Sequence, residues 1–340
     1  MSERPAKPKP PRRKPRKGDA GKSGSADAAM EPMRIAKFLA RAGHGSRREI
    51  ERMIAAGRIA VNGRTLASPA VNVTGRETIT VDGDAAGAIE RTRLWLFHKP
   101  PGLVTTNSDP EGRRTVFDAL PSELPRTLSI GRLDITTEGL LLLTNDGGLA
   151  RVLELPSTGW LRRYRVRAHG RVTQDQLDGL RDGIAVDGVL YGAIEAEIER
   201  EQGANVWMTV GIREGKNREV RKVLNHLGLE VNRLIRTSYG PFQLGELRPG
   251  EVQEVRGRTL REQLGDRLVT EAGANFEAPI VHETPRKAHA AQPDDGSGQR
   301  KAKPSDRPAT GRNKASRAKR PKPSWPQVPR KGGTRADRRR

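Results

Sequence analysis

The apolar positions of this chain change period along its length. Ile35, Phe38, Leu39 and Ala42 fall at helical spacing, and Gly43-His44-Gly45 stops the run. Ser46 can cap a second helix over 47–56, with Glu49 three residues on as the return arm of a capping box and Ile50, Met53 and Ile54 facing inward. Gly57 ends that helix. Residues 58–64 (RIAVNGR) then read as a strand running into an Asn-Gly hairpin turn, and a further strand is expected near 77–82 (ETITVD). Two short helices followed by a hairpin make a small compact unit.

Beyond residue 92 the pattern turns to strands. Leu94-Trp95-Leu96-Phe97 reads as a buried strand, ended by His98-Lys99-Pro100-Pro101-Gly102. Nothing near Lys99 in the sequence marks it for desolvation, so it reads as a structural or phosphate-binding lysine rather than a catalytic one. The polar loop 107–114 (NSDPEGRR) is a candidate rim for a site. In 130–147 (IGRLDITTEGLLLLTNDG), Asp134 stands between Leu133 and Ile135, and an all-leucine strand, 140–143, follows and ends in Asn145-Asp146-Gly147-Gly148. A carboxylate among apolar neighbours is poorly solvated unless a cation pairs with it. Taken alone, Asp134 reads more readily as a turn or capping aspartate than as a reactive group. Residues 162–167 (RRYRVR) alternate basic and apolar around Tyr164, as a strand does. Residues 211–224 (GIREGKNREVRKVL) start as a strand, turn at 214–217 and open a helix from which Arg221 can project toward a buried carboxylate.

Charge adds a partner class. The 340 residues carry a formal net charge of +22 and no cysteine, which excludes disulfides, thiolate metal sites and Cys nucleophiles. Residues 1–32 hold nine basic and four acidic residues, and 283–340 hold eighteen and five, so most of the positive field sits at the ends. Both ends are rich in Pro, Lys, Arg, Ser and Gly, with Trp325 their one aromatic residue, and are expected to be disordered. They serve either to capture polyanions or simply to solubilise the chain. The polar side of the first two helices offers Lys37, Arg41, His44, Ser46, Arg47, Arg48 and Arg52, and Arg58 extends it, a basic patch suited to the phosphates of folded RNA. The six histidines form no HxxH or HxxxH pair, and phosphate-binding glycine loops are absent, so neither a metal nor a cofactor is expected. No apolar run reaches the roughly 18 residues of a membrane span, and no secretory h-region is visible, so a cytoplasmic location is expected.

Two resemblances sharpen this. Residues 34–63, with AGHGSRRE and GRIAVNG, resemble the S4 RNA-binding module. HKPPG, GRLDITTEGLLLLTNDG, RRYRV and EGKNREVRK stand in the order seen in the ribosomal RNA pseudouridine synthases of the RsuA/RluB group, over about residues 33–260. ARAGHGSRREIE and NSDPEGRRTVFD are similar to members acting on the large subunit. The resemblance implies an α+β chain: an S4-like module with its linker (33–92), a mixed-sheet catalytic domain (93–272), and tails over 1–32 and 273–340. The linker, near 84–91, would leave the module free to reorient until RNA is bound. It implies isomerisation of a uridine in 23S ribosomal RNA by a monomeric enzyme, without a small-molecule cofactor. Asp134 matches the catalytic aspartate, Arg132 the arginine that enters the RNA helix, Tyr164 the tyrosine stacking on the base, Ile212 the apolar residue beneath it, and Arg221 the basic partner of the aspartate. Lys99 and Pro100 match a structural motif. Lys216 stands where close relatives more often carry Arg. A small-subunit enzyme and a non-catalytic S4-type assembly factor are the alternatives, and the latter would not need Asp134.

Overall fold

The computed structural model describes residues 31–281 and 287–289, and most of both basic ends lies outside them. The N-terminal module forms as its pattern predicts. Helix Ile35–Arg41 buries Ile35, Phe38 and Leu39, and helix Arg47–Ala55 buries Ile50 and Ile54. Ser46 Oγ accepts from the Glu49 amide while the Glu49 carboxylate accepts from the Ser46 amide, so the capping box is complete. Asn62 (φ 49°) and Gly63 (φ 78°) both take left-handed conformations in the turn, as an Asn-Gly hairpin requires. Strand Ile59–Val61 pairs with Arg64–Thr65 on one side and Ile79–Val81 on the other, closing the sheet over the helices' apolar face.

The region after residue 92 is built on one mixed sheet. Its main strands run in the order Ile194–Gln202, Asn205–Ile212, Arg162–His169, Glu230–Tyr239, Glu138–Thr144, Leu94–Lys99 and Glu251–Glu254. Neighbours on this path are antiparallel except where Glu230–Tyr239 meets Glu138–Thr144, a parallel contact through Ile235–Glu138 and Arg236–Gly139. The all-leucine strand is buried on both faces because successive side chains point opposite ways. Leu141 and Leu143 join a core with Trp95, Phe97 and Val166, whereas Leu140 and Leu142 pack on the other side against Leu149, Leu153, Leu260 and Leu264.

Three expectations need correction. Asn145–Gly148 does not simply end a strand: Asp146 caps a helix, Gly147–Glu154, by accepting from the Gly148 amide. The folded region does not stop at 272. Ala274 and Phe276 pack against the second core, Asn275 exchanges hydrogen bonds with Thr92, and strand Lys287–His289 pairs with Glu251–Glu254. Nor is 84–91 a free linker. Asp84–Ala85 adds a strand to the module, Ile89 enters its core, and Glu90 is buried in an ion pair with Arg93. The module is docked: Arg41 reaches Asp146 of the mixed-sheet region at 2.6 Å, both side chains nearly buried.

Candidate active site

A cleft of about 840 Å³ opens where the loop 131–137 faces strands Arg162–His169 and Glu230–Tyr239 and the turn 213–218. The structure brings Arg132, Asp134, Tyr164, Ile212 and Arg221 to its lining. Asp134 sits on the loop leading from the short strand Leu128–Ile130 into Glu138–Thr144. That loop is held from several sides. The Gly131 amide donates to the Glu154 carboxylate at 2.7 Å, Thr105 Oγ donates to the Leu133 carbonyl at 2.9 Å, and the Gly102 amide donates to the Ile135 carbonyl at 2.7 Å. The Thr137 amide closes the turn on the Asp134 carbonyl at 3.0 Å. A loop backbone fixed in this way holds the root of the Asp134 side chain in place before a substrate arrives, which is what a reacting group needs.

Lys99 is the hidden part of this scaffold. Its ammonium is fully buried and donates to the carbonyls of Pro100 (3.0 Å), Thr137 (3.0 Å) and Ile135 (3.4 Å). Burial lowers its pKa from the usual value to about 8, with Asp134 and Glu138 pulling the other way. Desolvation therefore does act on Lys99, against expectation, and its buried head cannot bind an incoming phosphate. The structural reading fits: it ties the strand Leu94–Lys99 to the Asp134 loop.

The cation closest to Asp134 is not the expected one. Arg218 places a guanidinium nitrogen 3.4 Å from the Asp134 carboxylate. Arg221 donates instead to the carbonyls of Val231 (2.8 Å) and Thr136 (3.4 Å) and has no direct contact with the carboxylate. Its pKa is lowered by burial and by the neighbouring Arg218, and raised by Asp134, so it still lies within the field of the aspartate. Arg221 braces the loop, while Arg218 faces the charge.

Tyr164 is nearly buried and stands opposite Val210 and Arg236. Next to it the pairing with Glu230–Tyr239 slips, so that Arg163 and Tyr164 span Ser238 and Arg236 with Thr237 left over. Such a bulge re-aims side chains beside a site. Ile212 is buried at the cleft floor, and Arg132 is exposed at its mouth. Two further arginines, not singled out by their sequence context, complete the frame. Arg162 donates to the carbonyls of Arg213 (2.7 Å) and Glu214 (2.9 Å) and to the Tyr239 hydroxyl (2.9 Å), holding the cleft turn onto the sheet. Buried Arg236 donates to the Leu140 carbonyl at 2.7 Å. The period of two in RRYRVR already puts Arg162 on the same face as Tyr164, so that signal is present in the sequence.

In the module, Arg47, Arg48 and Arg52 are exposed and Lys37 is half-buried, as a phosphate-binding face requires. Ser46 Oγ is used by its cap, and the Nε2 of His44 is buried without a partner. Arg41 departs from expectation, since its charge is spent on Asp146. Arg58 is held by both carboxylate oxygens of Asp82 at 2.6 Å, which raises its pKa and neutralises its contribution to the patch.

Comparison with known proteins matches residues 93–226 to the RNA pseudouridylate synthase family and 33–79 to the S4 domain. An uncharacterised RNA pseudouridine synthase of Rickettsia typhi is 42% identical over 235 residues, covering 69% of this chain and 96% of that one. The ribosomal large subunit pseudouridine synthase B of Pseudomonas aeruginosa is 38% identical over 296 residues, covering 84% of this chain and 74% of that one. Its namesake in Haemophilus influenzae is 43% identical over 220 residues, covering 63% and 62%.

Proposed function

The chain belongs to the RNA pseudouridine synthase family, and on that premise we propose that it isomerises a specific uridine of large-subunit ribosomal RNA, with Asp134 as the catalytic group. The observation that carries the assignment is the pinned, half-exposed Asp134 in an 840 Å³ cleft, with Arg218 3.4 Å from its carboxylate. The large-subunit substrate is supported by the relatives named synthase B. Ribosomal RNA as substrate places the reaction in the cytoplasm.

The reaction breaks the C1′–N1 glycosidic bond, turns the uracil and joins its C5 to C1′. A stacked base cannot turn, so the nucleotide must leave the helix, at a cost of a few kcal/mol. In this reading Arg132 fills the vacated stack, Tyr164 lies against the flipped ring and Ile212 packs beneath it, which is supported by all three lining the cleft. Asp134 then either adds at C1′ or removes the 2′ proton to give a glycal. In the same reading the Tyr164 hydroxyl helps remove the C5 proton at the end. Glycoside hydrolysis needs a second carboxylate and a water. An isomerisation consumes neither water nor an acceptor, and the rearrangement needs no metal or cofactor.

The test is tritium release from C5-labelled RNA. Wild-type protein is expected to release it from 23S RNA and not from 16S RNA, and Asp134→Asn is expected to lose release by at least about a thousandfold while binding RNA normally. Release by neither protein from naked RNA or an assembly intermediate, despite tight binding, would replace this reading with that of a binding factor. Release from 16S RNA alone would move the substrate to the small subunit.

A further inference from the structure

A second concavity, of about 390 Å³, lies between the S4 module and the catalytic region. The module contributes Lys37 and Arg47 to its wall, and the catalytic region contributes Arg126 and Arg151. None of these four cations forms an ion pair among the described residues. The remaining basic residue of the wall, Arg41, is committed to Asp146. Arg126 is half-buried, and burial pushes its pKa down, with Glu49 the one carboxylate pulling it back. Glu49 is itself engaged at the Ser46 cap. The structure therefore keeps a partly desolvated guanidinium without a close counter-ion, which costs stability unless an anion arrives.

The groove also has a direction. Ser129 and Glu154 line both it and the catalytic cleft, so the two concavities share a wall. One end lies at the S4 helices and the other at Ser129 and Glu154, whose carboxylate accepts from the Gly131 amide at the start of the loop carrying Asp134. A folded RNA presents phosphates at regular intervals along such a path, and Arg takes phosphate as a bidentate ligand.

We propose that this inter-domain groove is a phosphate track that leads the RNA strand from the S4 module to the catalytic cleft, with Arg126 and Arg151 as RNA-positioning residues supplied by the catalytic region. It rests on the reading of the protein as a modifier of ribosomal RNA. The strand lies across both domains, so their fixed orientation sets the distance between the anchored helix and the flipped nucleotide. That distance is a specificity element independent of the base itself.

The experiment compares Arg126→Gln/Arg151→Gln with Arg258→Gln/Arg267→Gln, which removes the same charge from two exposed side chains that do not line the groove. Binding of a 23S RNA transcript is measured against salt in an Asp134→Asn background, and turnover in the otherwise native protein. The groove pair is expected to weaken binding about tenfold or more and to lower the slope of log Kd on log salt by about 1.4, at ~0.7 for each single-strand phosphate no longer neutralised. KM should rise with kcat at saturating RNA within about twofold, which a merely structural defect would not give. Binding and slope equal to those of the control pair would overturn the proposal. A wild-type protein without turnover would instead overturn the reading as a synthase, and the binding comparison would still report on the groove.

Discussion

Arg218 holds a backbone conformation that a non-glycine residue adopts at a cost. It sits at φ 52°, ψ 31°, immediately before the helix Glu219–His226, and from there its guanidinium reaches Asp134. Left-handed geometry at such a residue costs about 1 kcal/mol and persists where the side chain is needed. Arg218→Gly should therefore be as stable as wild type or slightly more so, yet lose turnover by about a hundredfold through removal of the cation facing the carboxylate. Thermal melting and tritium release measured together decide this; full activity in the glycine variant would show that the 3.4 Å approach has no catalytic role.

Lys99 gives a residue-scale effect of opposite kind. Its pKa is about 8 in the folded protein and near the usual lysine value when unfolded. Between those values the unfolded chain binds the proton and the folded chain does not, so its contribution to stability rises as pH rises from about 8 toward 10.5 and is lowest below 8. Lys99→Met removes the titration and leaves three carbonyls unpaired. The stability difference between wild type and Lys99→Met should grow in favour of wild type by about 3 kcal/mol between pH 7 and pH 10.5, at ~1.36 kcal/mol per unit. Urea unfolding of both proteins at several pH values reads this directly, and a difference independent of pH would contradict it.

At the scale of elements, the sheet is joined across Gly139. It has φ 101°, and a Cβ there would collide with the backbone of Arg236, 2.7 Å from its amide nitrogen. This is where the strand after Asp134 meets the strand carrying Arg236 in parallel, so a side chain here would push the two walls of the cleft apart. Gly139→Ala should fold poorly or lose more than about 3 kcal/mol, whereas Gly131→Ala, whose Cβ would meet nothing within 4 Å, should lose only about 1 kcal/mol. Equal melting temperatures for the two variants would show that the close approach does not matter. The same packing explains what the sequence hides. The leucine strand is legible because its length and composition suit burial on both faces. Helix Gly147–Glu154 is not, because its first residues are two glycines that look like a loop. Gly148 is required there for its close approach to the Ala272 carbonyl, a demand set by a helix more than a hundred residues away. Helix register alone allows Arg221 as the partner of Asp134. The observed choice of Arg218 depends on the turn conformation before the helix, which residue spacing does not encode.

At the scale of the molecule, one residue decides whether the basic patch is a loose module or a fixed part of the cleft. In sequence Arg41 is indistinguishable from Arg47 or Arg48, all cations on the polar side of short helices. In the structure it leaves that set, because its partner Asp146 also caps a helix and accepts from Thr92 at 2.7 Å. The module has its own apolar core, so releasing the tie should loosen its docking without unfolding it. Arg41→Ala should raise KM for RNA about tenfold with kcat within about twofold, since ordering the two domains would then be a cost of binding. Small-angle scattering of the free protein should show a wider, more variable domain separation. The salt dependence of binding separates this role from direct phosphate binding: a latch leaves the slope unchanged, whereas removing a cation that neutralises a phosphate lowers it by about 0.7. A lowered slope with an unchanged scattering profile would return Arg41 to the RNA-facing set. An unchanged slope with a broadened profile would mean that the geometry joining the S4 module to Asp134 is held by this ion pair before RNA arrives.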